Sequence, residues 1–254
     1  MSNKHYNIDY LEETARKARG IKQRSYEYFS HIKAGTMADI GCGTGIDVVE
    51  LARLLGPGVS VVGVDHDRQM LDKAHVASSG LSNVRFILSE VTELPFEEHS
   101  LAGLRAERLF QHLKTPEAVV ADIYRMLQPG APAVIVETDW SSLCFYCDQI
   151  GTERKMVDFL TKEKINNGFA AKNLTAYLAN AGFREIKIEV MPMVSTALAD
   201  AIGNLWIDKI ALEMVEKGLL NEAEHAAFFD TISTADEKGF FAFSINLVIA
   251  SGIK

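Results

Sequence analysis

Apolar positions change their period along the chain, and that change predicts the elements. Through the first ~33 residues Leu11, Ala15, Ala18, Ile21, Phe29 and Ile32 recur at helical spacing, and "KAGT" ends the segment. From there short apolar runs alternate with helical patterns. "MADI" reads as a first strand, and "IDVVELARLLG" as a helix closed by Gly56-Pro57. "VSVVGVD", rich in β-branched residues, is a second strand, followed by a helix in "RQMLDKAHVASSG" and a third strand in "VRFILS". "LAGLRA" makes a poor fourth strand. "PEAVVADIYRMLQPG" is a helix with Pro at its start and Pro-Gly beyond its end, and "PAVIVET" is a fifth strand.

After Trp140 the alternation loosens, with mixed helical signals over 141–170. "KNLTAYLANAG" is then a helix and "FREIKIEVMPMV" a sixth strand. Residues 197–236 read as two helices, and "GFFAFSINLVIAS" as a closing strand with Phe241, Phe243, Ile245, Leu247 and Ile249 on one face. Strands alternating with helices predict an α/β fold, a mostly parallel sheet covered on both faces.

Composition narrows the class without naming a ligand. The chain has 254 residues, 48% of them hydrophobic, which suits one large α/β domain or a domain with an appended cap. No apolar run is long enough to span a bilayer, and the polar N-terminus lacks the core of a secretory signal. The formal net charge of −8 argues against nucleic-acid or anionic-membrane partners. Cys42, Cys144 and Cys147 form no disulfide framework, and the CxxC of "LCFYCD" has neither a second CxxC nor a nearby His pair to complete a zinc site. No metal is expected, the two thiols read as small apolar residues, and the expected compartment is the reducing cytoplasm.

The candidate chemistry lies in "TMADIGCGTGIDVVELARLLG". A strand, a glycine turn and a helix N-terminus in that order hold nucleosides in many proteins. A dinucleotide fingerprint has the spacing G-x-G-x-x-G, whereas Gly41, Gly43 and Gly45 are spaced G-x-G-x-G and Ile46 occupies the third position. No Gly-Lys-Ser/Thr follows, so a P-loop is excluded. Asp65, closing "VVGVD", stands where an acid can accept from both ribose hydroxyls; capping the helix that starts near Arg68 is a compatible second role. Asp39, just before the glycines, favours a cationic group over a phosphate.

"ADIGCGTG", "GVDHDRQML", "VRFILSEVTELPF", "AERLFQHL" and "RMLQPGAPAVIVETDW", in that order, resemble the class I S-adenosylmethionine-dependent methyltransferases, and within them the UbiE/menaquinone-type small-molecule group. The match covers about 35–140, and more loosely "YLANAGFREIKI" and the last strand. The resemblance implies a Rossmann-like, doubly wound, mostly parallel seven-stranded sheet with an antiparallel C-terminal strand and a helical cap. It also implies S-adenosylmethionine as cofactor and S-adenosylhomocysteine as product. By position, Gly41, Cys42 and Gly43 would present backbone to the methionine part and ribose, with Asp39 near the ammonium. Asp65 would hold the ribose diol, and His66 and Met70 would flank the adenine. Glu90 would accept from the adenine amino group, and the Val91 N–H would meet a ring nitrogen. Arg105, Ala106 and Glu107 would face the methionine moiety. Two departures stand out: Ala102 replaces the usual Asp of the fourth strand, and Gln128-Pro129-Gly130-Ala131-Pro132 lacks the second glycine of the usual L-x-P-G-G.

On this resemblance, 1–254 is a single methyltransferase domain. Residues 1–33 form an N-terminal helical lid, 34–140 the cofactor-binding core, and 141–170 with 197–236 a cap that shapes the acceptor pocket. Methyl would pass by in-line displacement to a small-molecule acceptor, at oxygen or carbon of an aromatic or apolar metabolite, nitrogen remaining open. "RAER" stands where nucleic-acid amino-methylating enzymes carry an Asn/Asp-Pro-Pro-aromatic motif, which agrees with the acidic charge. Glu107, His112 and Asp139 are the candidate bases, although His112 reads equally as a structural residue. A monomer or homodimer is expected. The alternatives are a cofactor-binding regulatory or partner subunit without turnover, and an NAD-dependent oxidoreductase, which the glycine spacing disfavours.

Overall fold

The structure, a computed structural model, describes residues 19–254. The elements run α1 (Arg19–Glu27), β1 (Gly35–Ile40), α2 (Ile46–Leu55), β2 (Val59–Asp65), α3 (Arg68–Ala77), β3 (Val84–Leu88) and β4 (Leu101–Glu107). After a 3-10 turn at Phe110–His112 come α4 (Pro116–Met126), β5 (Pro132–Phe145), α5 (Ile150–Phe159) and a π turn over Leu160–Lys164. The chain continues through α6 (Ala170–Ala181), β6 (Arg184–Ser195), α7 (Leu198–Leu205), α8 (Ile207–Glu216), α9 (Glu222–Glu237) and β7 (Phe243–Ile253).

The seven strands form one sheet in the order β3-β2-β1-β4-β5-β7-β6. The first five in that order are parallel, and β7 runs antiparallel between β5 and β6. Order reverses between β1 and β4, the point at which open α/β sheets leave a crevice at their carboxyl edge. One face packs Met37, Val61, Val134 and Ile249 against α1 and α2. The other packs Ala38, Leu104, Ala106 and Ile135 against α4 and α6. A separate apolar core joins the extended ends of β5 and β7 to α5, α7, α8 and α9, through Phe145, Phe159, Met214 and Phe228.

Several expectations need revision. The helix expected over the first ~33 residues ends at Glu27. Beyond it the backbone tightens into i→i+3 turns, Phe29 to Tyr26 and Ile32 to Phe29, which still bury Phe29 and Ile32. Residues 1–18 of the expected lid lie outside the described residues. "LAGLRA" is a full central strand; Gly103 keeps it flat where a Cβ would come within 2.9 Å of Ile32 and 3.0 Å of Phe29. The fifth strand runs on to Phe145, past an irregularity between Asp139 and Cys144. Residues 197–236 carry three helices, because Trp206 takes a left-handed conformation (φ 55°) and splits the first apolar stripe. Cys144 and Cys147 are free thiols, half-buried at the end of β5 and just after it. Among the described residues no helix is long and apolar enough to cross a membrane.

Gly45 explains why the glycine spacing differs from the dinucleotide pattern. It has φ 76°, and a Cβ there would lie 2.8 Å from Ala74 and 2.9 Å from Phe86. The close helix–sheet approach that a third glycine permits is therefore made one residue early. Gly45→Ala is expected to cost about 2–3 kcal/mol, from positive-φ strain plus overpacking, read as a lower urea midpoint at unchanged m.

Candidate active site

The turn after β1 is built by β2. The N–H groups of Gly41 and Cys42 both donate to the Val64 carbonyl, at 2.8 and 3.0 Å. This draws Gly43 over the end of β2, where its N–H donates to Asp65 Oδ2 at 2.8 Å. Asp65 Oδ1 accepts from the Asp67 N–H at 2.9 Å. Asp67, not Asp65, caps α3, accepting from the Gln69 N–H at 2.8 Å. The Asp65 carboxylate is thus oriented by two backbone N–H groups, with His66 Nδ1 3.4 Å from Oδ1, and keeps lone pairs for a diol.

A cleft of about 290 Å³, its open mouth included, runs from this turn to the loop after β3. Gly41, Asp65, His66, Glu90 and Val91 line it together with Ile40, Val64, Ser89, Leu94 and Leu109. One wall is held in place by Ser89 N–H donating to the Asp65 carbonyl at 3.0 Å. Residues as far apart in the sequence as Ile40 and Leu109 therefore share one small cleft with an apolar floor and acids at its rim. Leu109, which the sequence reading did not single out, packs against Gly41: a Cβ on that glycine would lie 3.3 Å from its side chain. Gly43 is open above, with φ 53°. Cys42 and Met70 are buried beside the cleft and do not line it.

Beneath the turn lies a buried ionic network that sequence reasoning saw only in part. Parallel register sets Arg105 of β4 beside Asp39 of β1, on the face covered by α1 and α2. Arg105 is 0% exposed; its Nη1 is 3.2 Å from Asp39 Oδ1 and 3.5 Å from Asp47 Oδ2, and Nη2 binds Glu107. Its Nε donates to Ser25 Oγ at 3.0 Å, and its guanidinium lies 5.2 Å from the centre of the Tyr26 ring. Lys22 of α1 reaches Asp47 at 2.6 Å and Glu107 at 2.9 Å, while the Tyr26 hydroxyl donates to Asp47. Burial pushes Asp47 and Glu107 up, but the neighbouring Lys22 and Arg105 more than offset this and hold both below the usual carboxylate range. Asp39 goes the other way: burial outweighs Arg105 and raises it to about 7. Burial and the Asp47 charge push the Tyr26 phenol up.

The candidate bases are placed apart. Glu107 is ion-paired in the network. His112 is exposed at the end of the 3-10 turn, its Nε2 3.3 Å from Gln111 Nε2. Asp139, half-buried in β5, accepts from the N–H of Ser141 at 3.1 Å and from that residue's hydroxyl. Ala106 is buried in β4.

Glu137, Gln111 and Trp140 form a hydrogen-bonded set around the 3-10 turn, of which the sequence singled out neither Glu137 nor Gln111. Glu137 is 0% exposed on β5; Oε1 accepts from the N–H of Phe110 at 2.5 Å and of Gln111 at 3.3 Å, and Oε2 has no partner among the described residues. Gln111 Oε1 in turn accepts from Trp140 Nε1 at 2.6 Å. Burial raises Glu137 to about 8, against the pull of the two N–H donors. A folded-state value raised from 4.5 to about 8 gives stability that is full below 4.5 and is lost as pH rises through 8. Glu137→Gln keeps the acceptor and cannot ionise. Its stability relative to the parent is expected to rise by up to ~1.4 kcal/mol per pH unit across that interval, measured by urea unfolding at several pH values.

Comparison with known proteins brings out the same region. Residues 37–130 match a family profile described as a methyltransferase domain. An uncharacterized 37.1 kDa protein from a Streptomyces fradiae transposon is 29% identical over 178 residues, 69% of this chain and 52% of that protein. Demethylmenaquinone methyltransferase of Staphylococcus aureus is 31% identical over 115 residues, 44% of this chain and 47% of that one. Among solved structures, phosphoethanolamine N-methyltransferase 2 of Haemonchus contortus, in complex with S-adenosyl-L-methionine, superposes with a TM-score of 0.59 at 18% identity. That superposition covers 92% of this chain and 52% of the other. The chain thus spans about half the length of each of these three proteins.

Proposed function

We propose, on the premise that residues 37–130 are a class I S-adenosylmethionine-dependent methyltransferase domain, that this chain methylates a small-molecule acceptor at oxygen or carbon. The observation that carries this reading is the cleft itself, where a side-chain-free turn, a backbone-fixed Asp65 and the Glu90–Val91 loop meet. These groups fit an adenosyl ligand. Asp65 presents lone pairs to a diol, Glu90 and the Val91 N–H offer an acceptor and a donor to a purine edge, and Gly41 and Gly43 leave backbone bare for the amino-acid end.

When bound, S-adenosylmethionine supplies a methyl on a positively charged sulfur, an electrophile that arrives activated. The remaining work of the chain is to orient the acceptor and exclude water. In this reading 34–140 form the cofactor half, and segments 141–170 and 197–236 wall the acceptor pocket. The 3-10 turn held by Glu137 presents Gln111 and His112 toward that wall, with Trp140 fixed beside them. Glu107 is held in ion pairs by Lys22 and Arg105, so His112 and Asp139 are the candidates to accept a proton from a phenol or alcohol. The proteins similar to this chain bear names that point to phosphoethanolamine and demethylmenaquinone, which supports a small metabolite without choosing one.

Incubating the protein with methyl-labelled cofactor and a metabolite extract tests the reading: label is expected in a small molecule. Label recovered only in nucleic acid would overturn the acceptor class. Tight cofactor uptake with no transfer to any fraction would mark a binding module without turnover.

A further inference from the structure

Around the 3-10 turn, a chain of hydrogen bonds from Trp140 through Gln111 to His112 can run in one direction only. It begins at the Trp140 indole, whose Nε1–H donates and cannot accept, 2.6 Å from Gln111 Oε1. The other corner of that amide agrees: Gln111 Nε2 lies 3.2 Å from the Arg108 carbonyl, a group that accepts and cannot donate. Oxygen toward Trp140 and nitrogen toward Arg108 is therefore the one orientation in which neither contact sets like against like. The backbone of Gln111 is clamped as well. Its N–H donates to Glu137 Oε1 at 3.3 Å, its carbonyl accepts from the Asn167 N–H at 3.0 Å, and the residue is buried.

His112 Nε2 lies 3.3 Å from the same Gln111 Nε2. The amide nitrogen is a donor, so a proton on His112 Nε2 would set two donors face to face. Nε2 is then the bare nitrogen of a neutral ring, and the ring proton sits on Nδ1. We propose that Gln111 is a positioning residue: oriented by Trp140 and Arg108, it holds neutral His112 in the Nδ1–H tautomer with Nε2 committed as an acceptor. His112 then meets a ligand as a hydrogen-bond donor, which suits it to orient an acceptor oxygen. Asp139 is left as the group that takes up a hydroxyl proton. That consequence rests on the methyl-transfer reading above, whereas the tautomer belongs to the protein without any ligand.

Two-bond proton–nitrogen NMR of the full, 15N-labelled chain at pH 8 tests it, where a ring with the ordinary value of about 6.5 is neutral. The His112→Gln protein identifies the signal among those of seven histidines. In the parent, Nε2 is expected at the downfield position of a bare nitrogen and Nδ1 at the upfield position of an N–H. In Gln111→Glu the carboxylate still accepts from Trp140 and has no proton to donate, so the His112 proton is expected on Nε2. Gln111→Met, close in volume and without a donor, should show the same move of the proton to Nε2, since imidazole in water prefers that tautomer. A parent protein with Nε2–H overturns the proposal. A His112 ring that keeps a bare Nε2 in folded Gln111→Glu or Gln111→Met overturns the assignment to Gln111. Failure of methyl transfer to any small molecule would leave these shifts unchanged, so the tautomer and the functional reading fail separately.

Discussion

Arg105→Met is expected to lower unfolding free energy by about 3–5 kcal/mol, the range for removing one partner from a buried ionic group. The methionine fills much of the space, so lost volume contributes little. What remains is Asp39, Asp47 and Glu107 in one buried unit with Lys22 among them and Arg108 at the rim beside Glu107. One of the three would have to take up a proton to fold, and the deficit should therefore shrink as pH falls toward 4, where carboxyl groups protonate in the unfolded chain as well. Urea unfolding of both proteins at pH 8 and at pH 4.5 checks this. An equal loss at both pH values would assign the effect to packing. High salt should change little, since the network is shielded from bulk ions.

Asp65→Ala is expected to weaken S-adenosylhomocysteine binding by about 100-fold, or roughly 3 kcal/mol. Two hydrogen bonds to a charged acceptor disappear, and the Gly43 and Asp67 N–H groups that orient it lose their partner. Asp65→Asn keeps one acceptor oxygen and should lose only about tenfold. Calorimetry separates the cases. An alanine variant within about threefold of the parent would mean that the carboxylate merely organises the turn.

The chain displays its fold in local patterns, because each parallel strand is a short apolar run and each covering helix a periodic one. Gly41, Gly43 and Gly45 stand out because the turn needs left-handed backbone at fixed positions, and only glycine adopts it cheaply. Where the reading faltered, the cause was not local. Nothing in the sequence around Trp206 announces its left-handed backbone. "LAGLRA" reads as a poor strand because Phe29 and Ile32, distant in sequence, occupy the face of Gly103 where a side chain would otherwise mark it. The ionic network joins residues 85, 80 and 66 positions apart, so no window of sequence shows it. A signal did exist in retrospect. Lys22 interrupts the buried stripe of α1, and Glu137 directly follows the buried apolar run 132–136 of β5; a lone charge on a buried face is an invitation to look for its partner.

The position of β7 between β5 and β6 has a consequence for biogenesis. As the polypeptide leaves the ribosome, β6 has no neighbour to bond with until residues 243–253 emerge, whereas the five parallel strands can already assemble. A nascent chain stalled before that point would expose both β6 and the rim of β5, which makes the interval between their synthesis and that of β7 the one in which a chaperone has most to shield.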